Sequence, residues 1–336
     1  MYYQDVTPVL TRATKWESSS RNTYDVLREI FPEPHPFRPR GNHEMFRKFC
    51  KFQIIGLLIL ALSSCQSANV MQNKASSKVG RQVNREEILS QNTIPLYTYK
   101  IVNTYPHNVT SYTEGLLMHD GYLFESTGRY GLSRLLKTEL ETGKAIQSYK
   151  LDPRYFGEGI TILQDHIFQL TYKSNIGFVY DKNNFEMIKV FHYPTEGWGM
   201  TTDGDELIMS DGSAALVFLD LKTLQQKRYI TVSDDIGEIG FLNELEYVNG
   251  DLFANVWQTN LIARISPKTG KVNGWIDLTG INPDPNKLKY PYVLNGIAFK
   301  KKSGHLLVAG KCWPELYEIV LIPKKKRDNS PLKDPK

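Results

Sequence analysis

Five segments of this chain begin on a common pattern, and a repeat of that kind constrains the fold more than any single residue does. They open at Tyr112-Thr113-Glu114-Gly115-Leu116, Phe156-Gly157-Glu158-Gly159-Ile160, Glu196-Gly197-Trp198-Gly199-Met200, Leu242-Asn243-Glu244-Leu245-Glu246 and Val293-Leu294-Asn295-Gly296-Ile297. Starts roughly 40 to 50 residues apart match the period of a four-stranded propeller blade. The sequence therefore predicts an all-β chain folded as a five-bladed β-propeller over residues 95–322.

Short β-branched and aromatic runs between turn signals support this reading. Tyr122–Ser126 follows Asp120-Gly121, and Leu252–Trp257 follows Asn249-Gly250-Asp251; both read as second strands. Leu135–Leu140 and Leu261–Ile265 read as third strands, each ending at a hairpin turn. No stretch past residue 95 keeps helical apolar spacing. Pro95–Thr104, a strand-like run ahead of the first restart, is expected to complete the last blade and hide its edge.

Upstream, Arg47, Lys48 and Lys51 precede the apolar run Ile54–Leu62, which ends at Ser63-Ser64-Cys65. The run is far shorter than the roughly 18 residues of a membrane span, so residues 45–65 read as an export signal. Its ending resembles the bacterial lipoprotein signal, which implies lipidation at Cys65 and a protein anchored in the bacterial cell envelope. An ordinary secretory signal and a short uncleaved anchor are the other readings. Export signals sit at chain starts, so translation is expected to begin at Met45, with residues 1–44 spurious or disordered. Residues 66–94 are polar and suit a flexible linker, and residues 323–336 form a basic, disordered tail.

The net charge of +5 belongs largely to these appendages. Residues 95–322 carry 22 Lys and Arg against 26 Asp and Glu, a net of −4, so no nucleic-acid partner is expected. Of the three cysteines, Cys50, Cys65 and Cys312, only the last lies in the body, which leaves no internal disulfide. The chain lacks Cys-x-x-Cys, His-Glu-x-x-His, Gly-x-Ser-x-Gly and Walker motifs, and Gly197-Trp198-Gly199 has Thr202 where a dinucleotide fingerprint needs glycine. The histidines of the body have no metal-ligand spacing. No cofactor or metal is expected.

Because the first strand of each blade lines the axis, Glu114, Glu158, Trp198 and Asn243 converge on one mouth. Six strings then occur in order: Phe124-Glu125-Ser126-Thr127-Gly128, Tyr155-Phe156-Gly157-Glu158-Gly159, Asp211-Gly212-Ser213, Leu242–Tyr247, Ala254–Thr259 and Leu294–Ala298. Gly310-Lys311-Cys312-Trp313-Pro314 follows. Together they resemble the glutaminyl-peptide cyclotransferases (glutamine cyclotransferases) of the plant and bacterial type, across all five blades.

That resemblance implies a propeller enzyme without catalytic zinc, which converts the N-terminal glutamine of peptides and proteins into pyroglutamate and releases ammonia. By the same resemblance Glu158 is the principal catalytic carboxylate, and Phe156, Trp198, Asn243, Trp257 and Lys311 belong to the pocket. Tyr112, at the first restart, is a further substrate-binding candidate. Glu114 stands where the plant enzymes carry glutamine, and Tyr172 where they carry tryptophan. A second carboxylate beside Glu158 raises one pKa by repulsion.

An N-terminal amine, with a pKa of about 7.7–8.0, is mostly protonated near pH 7 and cannot attack its own γ-carboxamide. Glu158 is expected to accept that proton and deliver it to the departing ammonia. Phe156, Trp198 and Trp257 would hold the folded-back side chain, while Asn243 and Lys311 donate to the carboxamide oxygen. Each residue also has a plainer reading: Glu158 and Glu114 in turns, the tryptophans packed between blades. A non-catalytic, envelope-associated peptide-binding propeller is the alternative, and a calcium-dependent hydrolytic propeller the third reading. A monomer is expected.

Overall fold

The computed structural model describes residues 79–90, 93–284, 286 and 290–324. The 1–44 extension, the 45–65 signal with Cys65, residues 66–78 of the expected linker and the tail past Lys324 lie outside the described residues. The described part is all-β, and its one helix is the short α1 (Arg85–Ser90).

Three antiparallel four-stranded sheets follow one another. The first contains β2 (Thr113–His119), β3 (Tyr122–Thr127), β4 (Arg134–Glu139) and β5 (Ala145–Lys150). The second contains β6 (Gly157–Leu163), β7 (His166–Thr171), β8 (Ile176–Asp181) and β9 (Met187–His192). The third contains β10 (Met200–Thr202), β11 (Glu206–Ser210), β12 (Ala215–Asp220) and β13 (Gln226–Thr231).

The remaining strands form an eight-stranded sheet. One half runs β14 (Leu242–Val248), β15 (Asp251–Val256), β16 (Leu261–Ile265) and β17 (Val272–Asp277). The other half contains β18 (Leu294–Lys300), β19 (His305–Gly310) and β20 (Glu315–Pro323), completed by the early strand β1 (Leu96–Pro106). β1 lies antiparallel to β20 from Tyr97↔Pro323 to Pro106↔Glu315, and touches β17 in parallel only at Leu96↔Trp275 and Tyr97↔Ile276. The strand-like run at Pro95–Thr104 thus supplies the outer strand of the last array.

Alternation along each strand gives every sheet two apolar faces. Neighbours in sequence consequently enter different cores: Leu116 and Leu123 pack with Ala298 and Leu307, whereas Leu117 and Phe124 pack with Ile160 and Ile167. Five such clusters fill the gaps between successive four-strand arrays, and the fifth joins the β18–β20 array back to β2 and β3.

Glycine at the restarts has a packing cause. A Cβ on Gly159 would stand 2.4 Å from Met200 N, and one on Gly199 2.0 Å from Asn243 O, so the inner strands approach too closely for any side chain. At the fifth restart Gly296 is required instead by its φ of 118°, and the fourth restart carries Glu244 in place of glycine. Its carboxyl reaches across the centre and accepts from Leu116 N (3.1 Å) and Ile297 N (2.8 Å). Burial, then the charges of Glu246 and Glu114, hold its pKa well above the usual carboxylate range.

The expected linker over 66–94 needs correction at its downstream end. Arg81 bridges to Ile239, with Arg81 N donating to Glu238 O (3.0 Å) and Gly240 N to Arg81 O (2.9 Å). Val83 and Ile88 are buried in the core between the third sheet and the β14–β17 array, and Arg81 also pairs with Asp234. Two apolar side chains, diluted in a polar stretch, are enough to dock the segment because their partners come from residues 208–275.

Candidate active site

At one end of the inner strands lies a cavity of about 440 Å³, lined by Tyr112, Glu114, Phe156, Glu158, Tyr172, Trp198, Asn243, Trp257, Gln258, Tyr290 and Lys311. All nine cavity candidates named from the sequence line it. Gln258 and Tyr290 are the additions.

Two kinds of backbone position deliver these side chains. Tyr112, Glu114, Phe156, Glu158, Trp198 and Asn243 sit at or just before the starts of the first strands β2, β6, β10 and β14. Tyr172, Trp257 and Lys311 stand just past the ends of the second strands β7, β15 and β19. Each of these three donates its backbone N–H to the entering chain of the same sheet: Tyr172 to Phe156 O (3.1 Å), Trp257 to Phe241 O (2.8 Å) and Lys311 to Val293 O (3.0 Å). A left-handed residue follows Trp257 and Lys311, at Gln258 (φ 62°) and Cys312 (φ 60°). Arg129 (φ 82°) and Gly212 (φ 81°) occupy the same place in the first and third sheets, so the kink belongs to the repeat.

Aromatic rings build the walls. Trp198 and Trp257 meet edge to face with centroids 5.6 Å apart, and Phe241 stacks behind Trp257 at 6.3 Å. Phe156 stands between Tyr112 (6.1 Å) and Tyr172 (5.7 Å). The indole N–H of Trp198 donates to Glu196 Oε2 at 3.0 Å, which fixes the ring's rotation. Asp211-Gly212-Ser213, read from sequence as a turn, serves this wall: a Cβ on Gly212 would lie 2.6 Å from Trp198 Cζ2.

Charge is concentrated on the floor. Lys311 Nζ donates to both oxygens of Glu114 at 2.6 Å, and Asn295 Nδ2 donates to Glu114 Oε2 at 3.1 Å. Glu114, Glu158 and Lys311 are 2 %, 5 % and 4 % exposed, so this charge is screened little by solvent. Burial first, and then the negative Glu114, push the Glu158 carboxyl well above its usual range. Burial also raises Glu114, but the Lys311 ammonium and the hydrogen bond with Glu158 oppose it. Lys311 thus favours the ionised form of Glu114, while burial and the negative Glu114 favour the protonated form of Glu158.

This geometry alters one expectation. Lys311 lines the cavity with its ammonium bound to both oxygens of Glu114, so its positive charge is already matched. Asn243 lines the cavity and is 3 % exposed; its Oδ1 is buried without a hydrogen-bond partner among the described residues, and its side-chain N–H groups are its donors. Among the described residues no three His, Cys, Asp or Glu side chains are grouped to hold a metal ion.

A buried carboxylic acid beside an ion pair, under aromatic walls, can exchange one proton with a substrate held against it. Comparison with known proteins agrees in kind. The family model described as glutamine cyclotransferase matches residues 66–321. The glutaminyl-peptide cyclotransferase of Arabidopsis thaliana is 43% identical over 226 residues, covering 66% of this chain and 71% of the plant protein. The crystal structure of Myxococcus xanthus glutaminyl cyclase superposes with a TM-score of 0.65 at 29% identity, covering 69% of this chain and all 100% of that one. With the family match spanning well over half of its length, this chain belongs to the glutamine cyclotransferase family.

Proposed function

We propose that this protein cyclises the N-terminal glutamine of peptides and proteins to pyroglutamate with release of ammonia, and that Glu158 carries the proton. The supporting observation is the buried Glu158 carboxyl, its pKa pushed up by burial and by the negative Glu114, beside the Glu114–Lys311 pair on the floor of an aromatic cavity. A pKa raised from the usual carboxylate range brings the acid closer in pKa to the substrate's α-amine and so lowers the energy of proton exchange between them. The substrate enters as its free amine, whose nitrogen attacks the γ-carbonyl carbon; the bond to the carboxamide nitrogen breaks, and the departing nitrogen takes a proton from Glu158. The resulting carboxylate recovers the proton lost by the ring nitrogen, so the enzyme returns to its starting state.

Trp198, Trp257, Phe156 and Tyr172 would hold the side chain folded on its amine, which replaces an entropic cost of cyclisation by binding. We assign the donor to the developing oxyanion to Asn243, since Lys311 is engaged with Glu114. Incubating the purified protein with a glutamine-initiated peptide is expected to release one ammonia per peptide with loss of the free amine. A peptide that binds and stays unchanged would instead support the non-catalytic propeller.

The fold is read as a five-bladed β-propeller, supported by the five successive apolar clusters and by β1 sharing a sheet with β20. Export and lipid anchoring at Cys65, a start at Met45 and a monomeric state rest on sequence and complete the proposal.

Glu114 sets the pH range of this chemistry. Glu114→Gln removes a negative neighbour and leaves the Lys311 charge unmatched, and both changes lower the pKa of Glu158. The basic limb of the kcat/KM profile, where the Glu158 carboxyl loses its proton, is therefore expected to move to lower pH by about one unit or more. An unmoved limb in that variant means that Glu114 does not govern Glu158.

A further inference from the structure

The lip of the cavity carries a cation that the proposed chemistry does not use. Arg129 lies between β3 and β4, with its guanidinium 4.5 Å from the ring centroid of the cavity residue Tyr112. Its neighbour Tyr130 is 55 % exposed and packs on Phe156 at 5.4 Å, and Tyr290, 63 % exposed, packs on Tyr112 at 6.4 Å. Arg129 is thus half-buried beside the cavity wall, next to two exposed rings that pack on cavity residues.

Its hydrogen bonding is incomplete. The only side-chain donor contact of Arg129 among the described residues is Nη2 to Cys312 Sγ at 3.5 Å. Five other arginines in the described residues face a carboxylate: Arg81 with Asp234, Arg85 with Asp277, Arg154 with Asp152, Arg228 with Glu206 and Arg264 with Asp251. Arg134 donates to Ser148 but is exposed, where water solvates it. Arg129 combines partial burial with the lack of a carboxylate partner among the described residues. A guanidinium in that state has a flat set of donors that matches a carboxylate in two-point geometry.

We propose that Arg129 is a specificity-determining residue for the position after the N-terminal glutamine, and that it selects a carboxylate there. The inference rests on the cyclotransferase reading, because the bound glutamine places the following residue at the lip. The carboxylate comes either from an acidic side chain at the second position or from the chain end of a dipeptide. Both present the same planar anion to the same fork.

The test measures kcat/KM for ammonia release from four peptides: Gln-Glu amide, Gln-Gln amide, Gln-Ala free acid and Gln-Ala amide. In the unaltered protein the charged member of at least one pair is expected to be favoured on the order of tenfold, since one partly buried charged contact has about that effect. The preference is expected to shrink on adding salt. It falls to about one in Arg129→Gln and persists in part in Arg129→Lys. Discrimination within the first pair assigns a side-chain carboxylate, and within the second the chain end.

Each variant's ratio is internal to that variant, so a general loss of activity does not imitate the effect. Equal rates within both pairs in the unaltered protein overturn the proposal. So does a ratio that survives Arg129→Gln while all four rates fall together, which is the behaviour of a residue that only positions Tyr112. Absence of ammonia from all four peptides is a different result: it removes the cyclotransferase reading, and this inference with it.

Discussion

Glu158→Gln is expected to lower kcat for ammonia release by roughly 10²- to 10⁴-fold, the range associated with a single proton-transferring side chain. The amide has the size of the acid and can still donate a hydrogen bond to Glu114, so the cavity keeps its shape. It cannot give up or take a proton, and the departing nitrogen would have to leave without one. Stability is expected to respond in the opposite sense. The folded pKa of Glu158 is raised, so its contribution is complete below the unfolded carboxylate value and is lost as pH rises toward the folded one. Glutamine has no such loss, and the variant should unfold at an equal or higher urea concentration than the parent at pH 8. Turnover within a few-fold of the parent would remove Glu158 from the mechanism.

Lys311→Met is expected to be the most damaging substitution for stability. It leaves Glu114, 2 % exposed, with Asn295 and Glu158 as its remaining partners, and breaking a buried pair in this way costs about 3–5 kcal/mol. Without the ammonium the folded pKa of Glu114 rises, so the variant is penalised least at acid pH and increasingly as pH climbs past the unfolded carboxylate value. Urea unfolding at pH 5 and pH 8 measures the difference, with the larger deficit expected at pH 8. The double variant Glu114→Gln, Lys311→Met removes both charges and should recover most of the lost stability. A double variant as unstable as Lys311→Met alone would show that methionine fails to pack and that the buried charge is not the cause.

Much of this arrangement is legible in the sequence because the repeat makes five independent statements of one geometry. Restart glycines mark where inner strands nearly touch, and alternation within strands marks two packed faces. The strings around Glu158, Asn243, Trp257 and Lys311 then identify which repeat positions carry chemistry. What stays hidden depends on chain closure. Glu114 and Lys311 are 197 residues apart, so a second acid is visible in the sequence while its neutralisation is not. Tyr290 reaches the cavity from the connection before β18, which follows no repeat rule. Gln258 could have been found by aligning the residues that follow the second strands, where Arg129, Gly212 and Cys312 share its left-handed backbone. Val83 and Ile88 escaped because a polar stretch with two apolar residues has no periodicity to read.

The pairing of β1 with β20 bears on how the molecule comes into being. The earliest strand of the body finds its main partner only in residues 315–323, near the end of the chain. During synthesis Leu96–Pro106 must wait with an unpaired edge while every other strand emerges, and a polypeptide terminated at Gly310 would lack the segment that latches it. Contacts so distant in sequence slow assembly, and once made they tie the first strand of the body to its last.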